Sequence, residues 1–373
     1  MNLLLINEKL TYSSTTSYSL ELATALKQRG HDVRICTSGG DLRQSFQDSG
    51  IETYPVKFNF FSFRKLIQFL RNFNPDVVHV QNLRSLPMGQ KIVEHLRKSH
   101  IVTVHHVPTP QVHVELQHDM LAGAIAVNEA IRESLVNTQM MSKELIRVVR
   151  TGLDLERFSS GDPSLSQPDK IPVIGAIGRL SPLKGYRYLL EAARQVIERG
   201  REALFVIVGN GAEERELRRQ VKEFGLEKLV TFCPPMPDVA ELIRNFDIVV
   251  VPTLRGGVGL TALEAMALER PVVASAVGEL LHLIGDNETG LLVHERDSNA
   301  IAEKLIQLLD QPEEARRLGA AARQWVVENF SLSPMVEATE QFYVDVLEKT
   351  LENENDGAGR PSTPASRPTG SRR

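Results

Sequence analysis

The stretch IVVVPTLRGGVGLTALEAMAL, residues 248–268, decides the fold of this chain. It begins with four β-branched residues, Ile248 to Val251, which suit a buried parallel strand. After a proline and three glycines, helix-forming residues continue from Leu260 at helical spacing. A strand, a glycine-rich turn and a helix start make an anion pocket, because the first N–H groups of a helix lack internal partners. An ordinary strand-to-helix turn is the alternative.

Short apolar runs alternate with amphipathic segments along the whole chain, which predicts parallel sheets covered by helices. Strands are expected in the first half at Leu3–Ile6, Val33–Cys36, Val77–Val80, Ile101–Val104, Ala124–Val127 and Ile146–Val149. Strands are expected in the second half at Val173–Ala176, Leu204–Val208, Leu229–Phe232, Ile248–Val251, Val272–Ala274 and Leu291–Val293. The predicted class is α/β, with two doubly wound parallel-sheet domains facing a cleft.

The predicted domain boundaries follow from changes in composition along the sequence. Residues 1–158 are predicted to form the first domain and residues 170–330 the second, because the Pro/Ser/Asp-rich stretch 159–170 reads as a linker. A helix is expected at about 334–351. The tail 352–373 is almost free of large apolar residues, so it is predicted to be disordered.

The composition is that of an ordinary globular protein, with 42% hydrophobic residues and a formal net charge of -4. This charge gives no general case for nucleic-acid binding. Cys36 and Cys233 match no metal or redox spacing, which suits a reducing compartment. No apolar run approaches the roughly 20 residues that span a bilayer, and the N-terminal run is too short for a signal peptide. We therefore expect a cytoplasmic protein.

The segment Phe58–Phe73 combines six phenylalanines with basic residues. This combination fits a helix that lies on a membrane surface, which would make the protein membrane-associated. A core helix with solvated Arg and Lys side chains is the alternative.

Three further motifs fall where predicted strands end, which is where open α/β sheets bind ligands. In GRLSPLKG, Gly178 follows a strand, and Arg179 and Lys184 supply two cations that suit a diphosphate. In VGNGAEER, a Gly-Asn-Gly turn with Gly209 and Gly211 is a weak nucleotide signal, for which core packing is the alternative. In PVVASAVGE, Gly278 follows a strand end.

Taken in this order, the motifs resemble the C-terminal domain of retaining glycosyltransferases of family 4, which have the GT-B fold. The resemblance is carried by GRLSPLKG, VGNGAEERELRRQV, GVGLTALEAMA, PVVASAVGE and NETGLLV. The first half resembles the acceptor domain of the family through ALKQRGHDVRICT, PDVVHVQ, IVTVHHVP and TGLDLERF. The resemblance implies that the last helix crosses back onto the first domain.

The resemblance also implies a role for each matched residue. Arg179 and Lys184 would bind the donor diphosphate, and His105 would reach the donor sugar near the reacting carbon. Glu264 would hold the ribose hydroxyls. The remaining residues expected around the nucleotide are Gly209, Gly211, Gly257, Val258, Gly259, Leu260, Thr261 and Gly278.

The chain departs from the family pattern at positions that handle the sugar. Gly256 stands where the family usually carries a glutamate, and Ser13-Ser14 replace its usual Gly-Gly. Glu279 stands where the family has the second glycine of a Gly-Gly pair, and His282 stands where the family has a glutamate. Our hypothesis is that Glu279 or His282 substitutes for the glutamate that is absent at Gly256.

The sequence therefore predicts a glycosyltransferase that moves a sugar from a nucleotide diphosphate donor, with retention. The expected acceptor is a glycan, a lipid-linked molecule or a small molecule, and neither a resident cofactor nor a metal is expected. A nucleotide-binding scaffold or subunit of the same fold, without transfer activity, is the alternative.

Overall fold

A computed structural model describes residues 1–57, 59–106, 118–159, 170–255 and 259–358. It contains two parallel sheets, each covered by helices, so the predicted α/β class with two Rossmann-like domains is confirmed. The first sheet lies within residues 2–148 and the second within residues 173–293. No helix in the described ranges has the length and apolar character needed to cross a membrane.

The first sheet has seven strands in the order β3-β2-β1-β4-β5-β6-β7. The strands are β1 (Asn2–Ile6), β2 (Asp32–Thr37), β3 (Glu52–Pro55), β4 (Val77–Val80), β5 (His100–Val104), β6 (Leu121–Ala126) and β7 (Ile146–Val148). Its helices are α1 (Ser14–Gln28), α2 (Arg43–Asp48), α3 (Phe60–Phe73), α4 (Leu86–Leu96) and α5 (Glu129–Asn137).

The second sheet has six strands in the order β10-β9-β8-β11-β12-β13. The strands are β8 (Val173–Ile177), β9 (Leu204–Val208), β10 (Val230–Cys233), β11 (Ile248–Val251), β12 (Val272–Ser275) and β13 (Leu291–Val293). Its helices are α6 (Tyr186–Glu198), α7 (Glu214–Glu223), α8 (Val239–Arg244), α9 (Leu260–Ala267), α10 (Leu280–Leu283), α11 (Ser298–Asp310) and α12 (Pro312–Asn329).

The chain crosses between the domains twice, and the two crossings lie side by side. The backbone N–H of Leu153 donates to the carbonyl of Phe330 at 2.8 Å, and Leu153 also pairs with Ser331. Gly152 is required there, because a Cβ at this position would lie 2.6 Å from the Ser331 carbonyl oxygen. We refer to this paired crossing, Gly152–Leu153 beside Phe330–Ser331, as the hinge.

The last helix, α13 (Leu332–Ala358), follows the second crossing and packs on the first domain against α1 and β6. The side chain of Tyr343 is fully buried there and hydrogen-bonds to Nδ1 of His79 at 2.8 Å. The final helix thus returns to the first domain, as the family resemblance implied.

Three expectations about the elements need correction. The strand β3 was missed, because it is a four-residue edge strand that ends in Pro55. Helix α1, which the apolar pattern predicts at about Tyr18–Arg29, begins earlier, at Ser14, because the Ser13 hydroxyl caps it by accepting from the N–H of Thr16. The tail was predicted to begin at residue 352, whereas α13 continues to Ala358; after Pro334 in its first turn, no proline occurs before Pro361. Residues 359–373 lie outside the described part.

One glycine in the second sheet is needed for packing. A Cβ on Gly175 in β8 would lie 2.0 Å from the ring of Phe246, and this ring is buried in the core. The ring has no free volume into which it could retreat, because interiors are close-packed.

We predict that Gly175→Ala destabilises the second domain by about 2 kcal/mol through overpacking. The midpoint of urea unfolding measures the change. The double variant Gly175→Ala/Phe246→Leu is expected to lose less stability than the sum of the losses in the two single variants. The reason is that the smaller leucine side chain makes room for the new methyl group. A wild-type midpoint for Gly175→Ala would contradict this packing account.

Candidate functional site

A cleft runs between the carboxyl edges of the two sheets. In each sheet the strand order reverses at one point, between β1 and β4 and between β8 and β11, and doubly wound sheets bind ligands beside such points. Residues of both domains line two pockets in this cleft, a larger one of about 720 Å³ and a smaller one of about 560 Å³.

The two pockets have different walls. The larger pocket is lined from the first domain by Tyr12, Ser13, Ser14, Ser17 and Leu42, and from the second mainly by Gly178, Arg179, Gly209, Asn210, Pro235, Met236, Pro237, Leu260, Thr261 and Glu264. The smaller pocket is lined mainly by Ser14, His106, Lys184, Tyr186, Thr253, Gly259, Leu260, Thr261 and Leu280. Ser14, Leu260 and Thr261 line both pockets.

Backbone contacts between neighbouring loops hold the floor of the larger pocket. The N–H of Gly178 donates to the Val208 carbonyl at 2.9 Å, and the N–H of Leu180 donates to the Asn210 carbonyl at 2.8 Å. A Cβ on Gly209 would lie 1.9 Å from the Gly178 carbonyl oxygen. Only glycine therefore allows the two loops to approach so closely, and this approach fixes the base of Arg179.

Two cations face the cleft without an anion to neutralise them. Arg179 lines the larger pocket and Lys184 the smaller one. Among the described residues, neither side chain forms a hydrogen bond or an ion pair. Burial lowers the pKa of the Lys184 ammonium, which means that this charge is held in a poorly hydrated position. An anionic ligand would relieve that cost.

The start of α9 lies beside these cations. Gly259 has φ +67°, a left-handed conformation that suits glycine, and precedes the first helical residue. The expected contributions of Gly257 and Val258, and the departure at Gly256, lie outside the described residues. Leu260 and Thr261, the first two residues of α9, line both pockets, which is where a helix start that binds an anion would lie.

Glu264 lies one turn further along α9 at the larger pocket. Its side chain is buried, and burial raises its pKa to about 8, with a smaller contribution from the negative charge of Glu21. The positive charge of Arg157 acts in the opposite direction. A carboxyl group held in this way gains from a ligand that donates hydrogen bonds to it.

The two adjacent histidines at the end of β5 have different surroundings. His105 is buried against Tyr18, with ring centroids 4.7 Å apart, and its Nε2 donates to the Gln81 carbonyl at 2.9 Å. Burial lowers its pKa to about 3. His106 instead lines the smaller pocket together with Lys184. The sugar-contacting role expected of His105 stays a prediction, and His106 is the histidine that the structure brings to the pocket.

The serines at the start of α1 fit their positions without strain. Ser13 has an extended backbone with φ -159°, and its hydroxyl caps the helix. Ser14 is the first helical residue and reaches both pockets. The replacement of Gly-Gly by Ser-Ser therefore adds hydroxyl groups to the cleft.

Other expected site residues lie elsewhere. Gly211 is absent from the described lining of both pockets, because its role is to let its loop pack on Leu180, whose carbonyl oxygen would lie 2.1 Å from a Cβ. Gly278 forms an exposed left-handed turn with φ +54° before α10. Glu279 accepts a hydrogen bond from Asn128 of the first domain, and His282 is exposed. The structure thus gives Glu279 a partner other than a donor sugar.

Sequence reasoning missed two features of the cleft. The first is His106, whose only signal was its position next to His105. The second is the segment Pro235–Pro237, which forms an apolar wall of the larger pocket with Val239 and Leu242. The run CPPMPD, residues 233–238, carries no local indication that it faces a ligand. Within the described ranges no group of three or more metal-binding side chains occurs.

Comparison with known proteins agrees with this geometry. The family model of glycosyl transferases group 1 matches residues 161–325, and that of glycosyltransferase family 4 matches residues 15–157. Together the two matches span most of the chain. The chain belongs to the glycosyltransferases of this family, and the predicted membership is confirmed.

Individual relatives are about one third identical to this chain over the matched residues. A D-inositol 3-phosphate glycosyltransferase of Frankia alni is 36% identical over 234 residues, which is 58% of this chain and 58% of the relative. The chain thus matches the curated relatives over about half of their length.

Solved structures agree over nearly the whole chain. HepE of Anabaena in complex with UDP-glucose has a TM-score of 0.79 at 18% identity, covering 95% of this chain and all of that one. A glycosyltransferase of Rickettsia africae has a TM-score of 0.74 at 20% identity, covering 93% and 98%. At such identities these likenesses establish the fold, which is GT-B.

Proposed function

We propose that this protein transfers a sugar from a nucleoside diphosphate sugar to an acceptor. The observation that carries the proposal is a pair of cations, Arg179 and Lys184, beside the start of α9 in one interdomain cleft, which form no ion pair with any residue that the structure describes. Two fixed positive charges and a helix N-terminus suit a ligand with two adjacent negative charges. The family membership and the glycosyltransferase names of the relatives support the same reaction.

The two pockets divide such a donor between them. The apolar wall at Pro235–Pro237 suits a nucleobase, and Glu264 suits the ribose hydroxyls in the larger pocket. The diphosphate then extends past Arg179 towards Lys184, and the sugar lies in the smaller pocket near His106. In this arrangement the second domain supplies most of the nucleotide contacts, and both domains line both pockets.

In the reaction, the bond between the anomeric carbon and the β-phosphate oxygen breaks, and an acceptor hydroxyl oxygen bonds to that carbon. The hydroxyl proton leaves with the nucleoside diphosphate. Negative charge grows on the leaving diphosphate, so the largest contribution to the rate comes from charges already aimed at it. The family resemblance supports retention of configuration at the anomeric carbon. The donor is a co-substrate, and the proposal needs no resident cofactor or metal.

We expect Lys184→Ala to lower kcat/KM for transfer about 100-fold, which corresponds to about 3 kcal/mol of lost charge stabilisation. Donor turnover by the purified protein measures the effect. Lys228→Ala, which removes an exposed lysine of the same domain, is the matched control and should leave turnover unchanged. Wild-type turnover in Lys184→Ala would remove the charge argument. Nucleotide binding without turnover in the wild-type protein would instead favour a scaffold.

The raised pKa of Glu264 predicts a pH dependence of nucleotide binding. Below about pH 8 this carboxyl holds its proton, and above it the ionised group accepts hydrogen bonds from both ribose hydroxyls. Affinity for a nucleoside diphosphate should therefore rise several-fold between pH 7 and pH 8.5. The terminal phosphate is already ionised in this window, since its pKa is about 6.

Calorimetric titration at several pH values measures this slope, with Glu264→Gln as the control. The variant should bind more weakly and with little change across the window. An equal slope in both proteins would assign the pH dependence to another group.

We further propose that α3 contacts a membrane surface beside the cleft. Phe60 and Phe61 are 71% and 78% exposed, whereas Phe63 and Phe73 are buried in the core. Because α3 follows a strand of a parallel sheet, its first turn lies at the carboxyl edge, where the cleft opens. The helix also contains Arg64, Lys65 and Arg71 and no acidic residue. These features favour an acceptor that is held in a lipid surface.

Flotation with vesicles of phosphatidylglycerol tests this contact. We expect the wild-type protein to float and the double variant Phe60→Ser/Phe61→Ser to remain in the soluble fraction. Val327→Ser removes an apolar side chain that is 44% exposed on the other domain, and it should float like wild type. Failure of the wild-type protein to float, or flotation of the double variant, would contradict the contact.

A further inference from the structure

An asparagine side chain, that of Asn128, forms one of the hydrogen bonds between the two domains, beside the hinge. Asn128 follows β6, and its side-chain oxygen caps α5 by accepting from the N–H of Ile131 at 2.8 Å. Its side-chain nitrogen donates to the carboxylate of Glu279, which precedes α10 in the second domain. The cap fixes the orientation of the amide, so its donor points across the domain boundary before any ligand binds.

The contact lies in a partly enclosed place. Asn128 and Glu279 line a small cavity together with Val127, Thr151, Leu263, Leu283 and Phe330. Phe330 belongs to the hinge, since its carbonyl accepts from the N–H of Leu153. A hydrogen bond to a carboxylate in such surroundings is stronger than one in water. The bond therefore joins the two domains next to the place where the chain crosses between them.

The same contact reaches the cleft through neighbouring residues. Leu280 directly follows Glu279 and lines the smaller pocket with Lys184 and Thr261. Leu263 of the small cavity directly precedes Glu264 in α9. The carboxylate of Glu279 thus sits where a change in domain angle would move both α9 and α10 relative to the first domain.

We propose that Asn128 and Glu279 are positioning residues whose hydrogen bond holds the domains at the angle that completes the smaller pocket. This inference rests on the proposed function for its effect on turnover. The pocket needs Ser14 and His106 from one domain and Lys184 and Thr261 from the other. Donor affinity therefore falls in proportion to the fraction of molecules in which both sides are in place.

Substitutions at Asn128 and Glu279 can distinguish loss of this hydrogen bond from a general loss of structure. Asn128→Ser keeps a capping oxygen for α5 but loses the donor to Glu279. Glu279→Ala removes the acceptor, and Glu279→Gln keeps an acceptor oxygen while removing the charge. Glu303→Ala removes an exposed glutamate of α11 in the same domain and serves as the control.

The measurements are the radius of gyration of the free protein by small-angle X-ray scattering, and KM and kcat for the donor. We expect Asn128→Ser and Glu279→Ala each to enlarge the radius and to raise KM about tenfold, with a smaller change in kcat. The double variant should be no worse than either single variant, since both remove the same bond. Glu279→Gln should restore most of the wild-type KM, and Glu303→Ala should match wild type.

Wild-type radius and KM in both single variants would overturn the proposal. Additive effects in the double variant, or a Glu279→Gln protein as impaired as Glu279→Ala, would overturn it as well. The scattering measurement needs no activity. A protein that does not transfer sugar but opens in both single variants would therefore contradict the proposed function and support the positioning role.

Discussion

The hydrogen bonds between the loop after β8 and the loop after β9 are the constraint on which the site depends. They join Gly178 to Val208 and Leu180 to Asn210, and they are possible because Gly209 and Gly211 have no Cβ. The result is a rigid backbone at the carboxyl edge of the second sheet, from which Arg179 projects. Charge stabilisation needs such rigidity, because a charge that must move into place loses part of its effect.

Both domains contribute side chains to the cleft. The second domain supplies Arg179, Lys184, Glu264 and the start of α9. The first domain adds Ser14 and His106 where the sugar would lie. The side chain of His106 is exposed to the cleft, and desolvation against the cleft wall, together with the positive charges of Lys184 and Arg84, lowers the pKa of its imidazole to about 4. A neutral imidazole can form hydrogen bonds to sugar hydroxyls without repelling the cations.

The sequence was informative where a residue type is dictated by local geometry. Short apolar runs predicted all six strands of the second sheet, and the positions of Arg179 and Lys184 after a strand end predicted their place in the cleft. The sequence was uninformative where tertiary packing decides which side chains reach the cleft and which residues they contact. Nothing local distinguishes buried His105 from His106, or assigns Gly211 to packing and Gly209 to the pocket lining. The partner of Glu279 comes from a segment 151 residues away, so only the assembled domains reveal it.

We propose that the cleft recognises a diphosphate through the fixed positive charges of Arg179 and Lys184. The most direct measurement is a calorimetric comparison of nucleoside diphosphates with the corresponding monophosphates, carried out for the common bases at one ionic strength. The account predicts that, for the preferred base, the diphosphate binds at least ten times more tightly than the monophosphate. Equal affinities, or no binding of any nucleoside diphosphate, would contradict it.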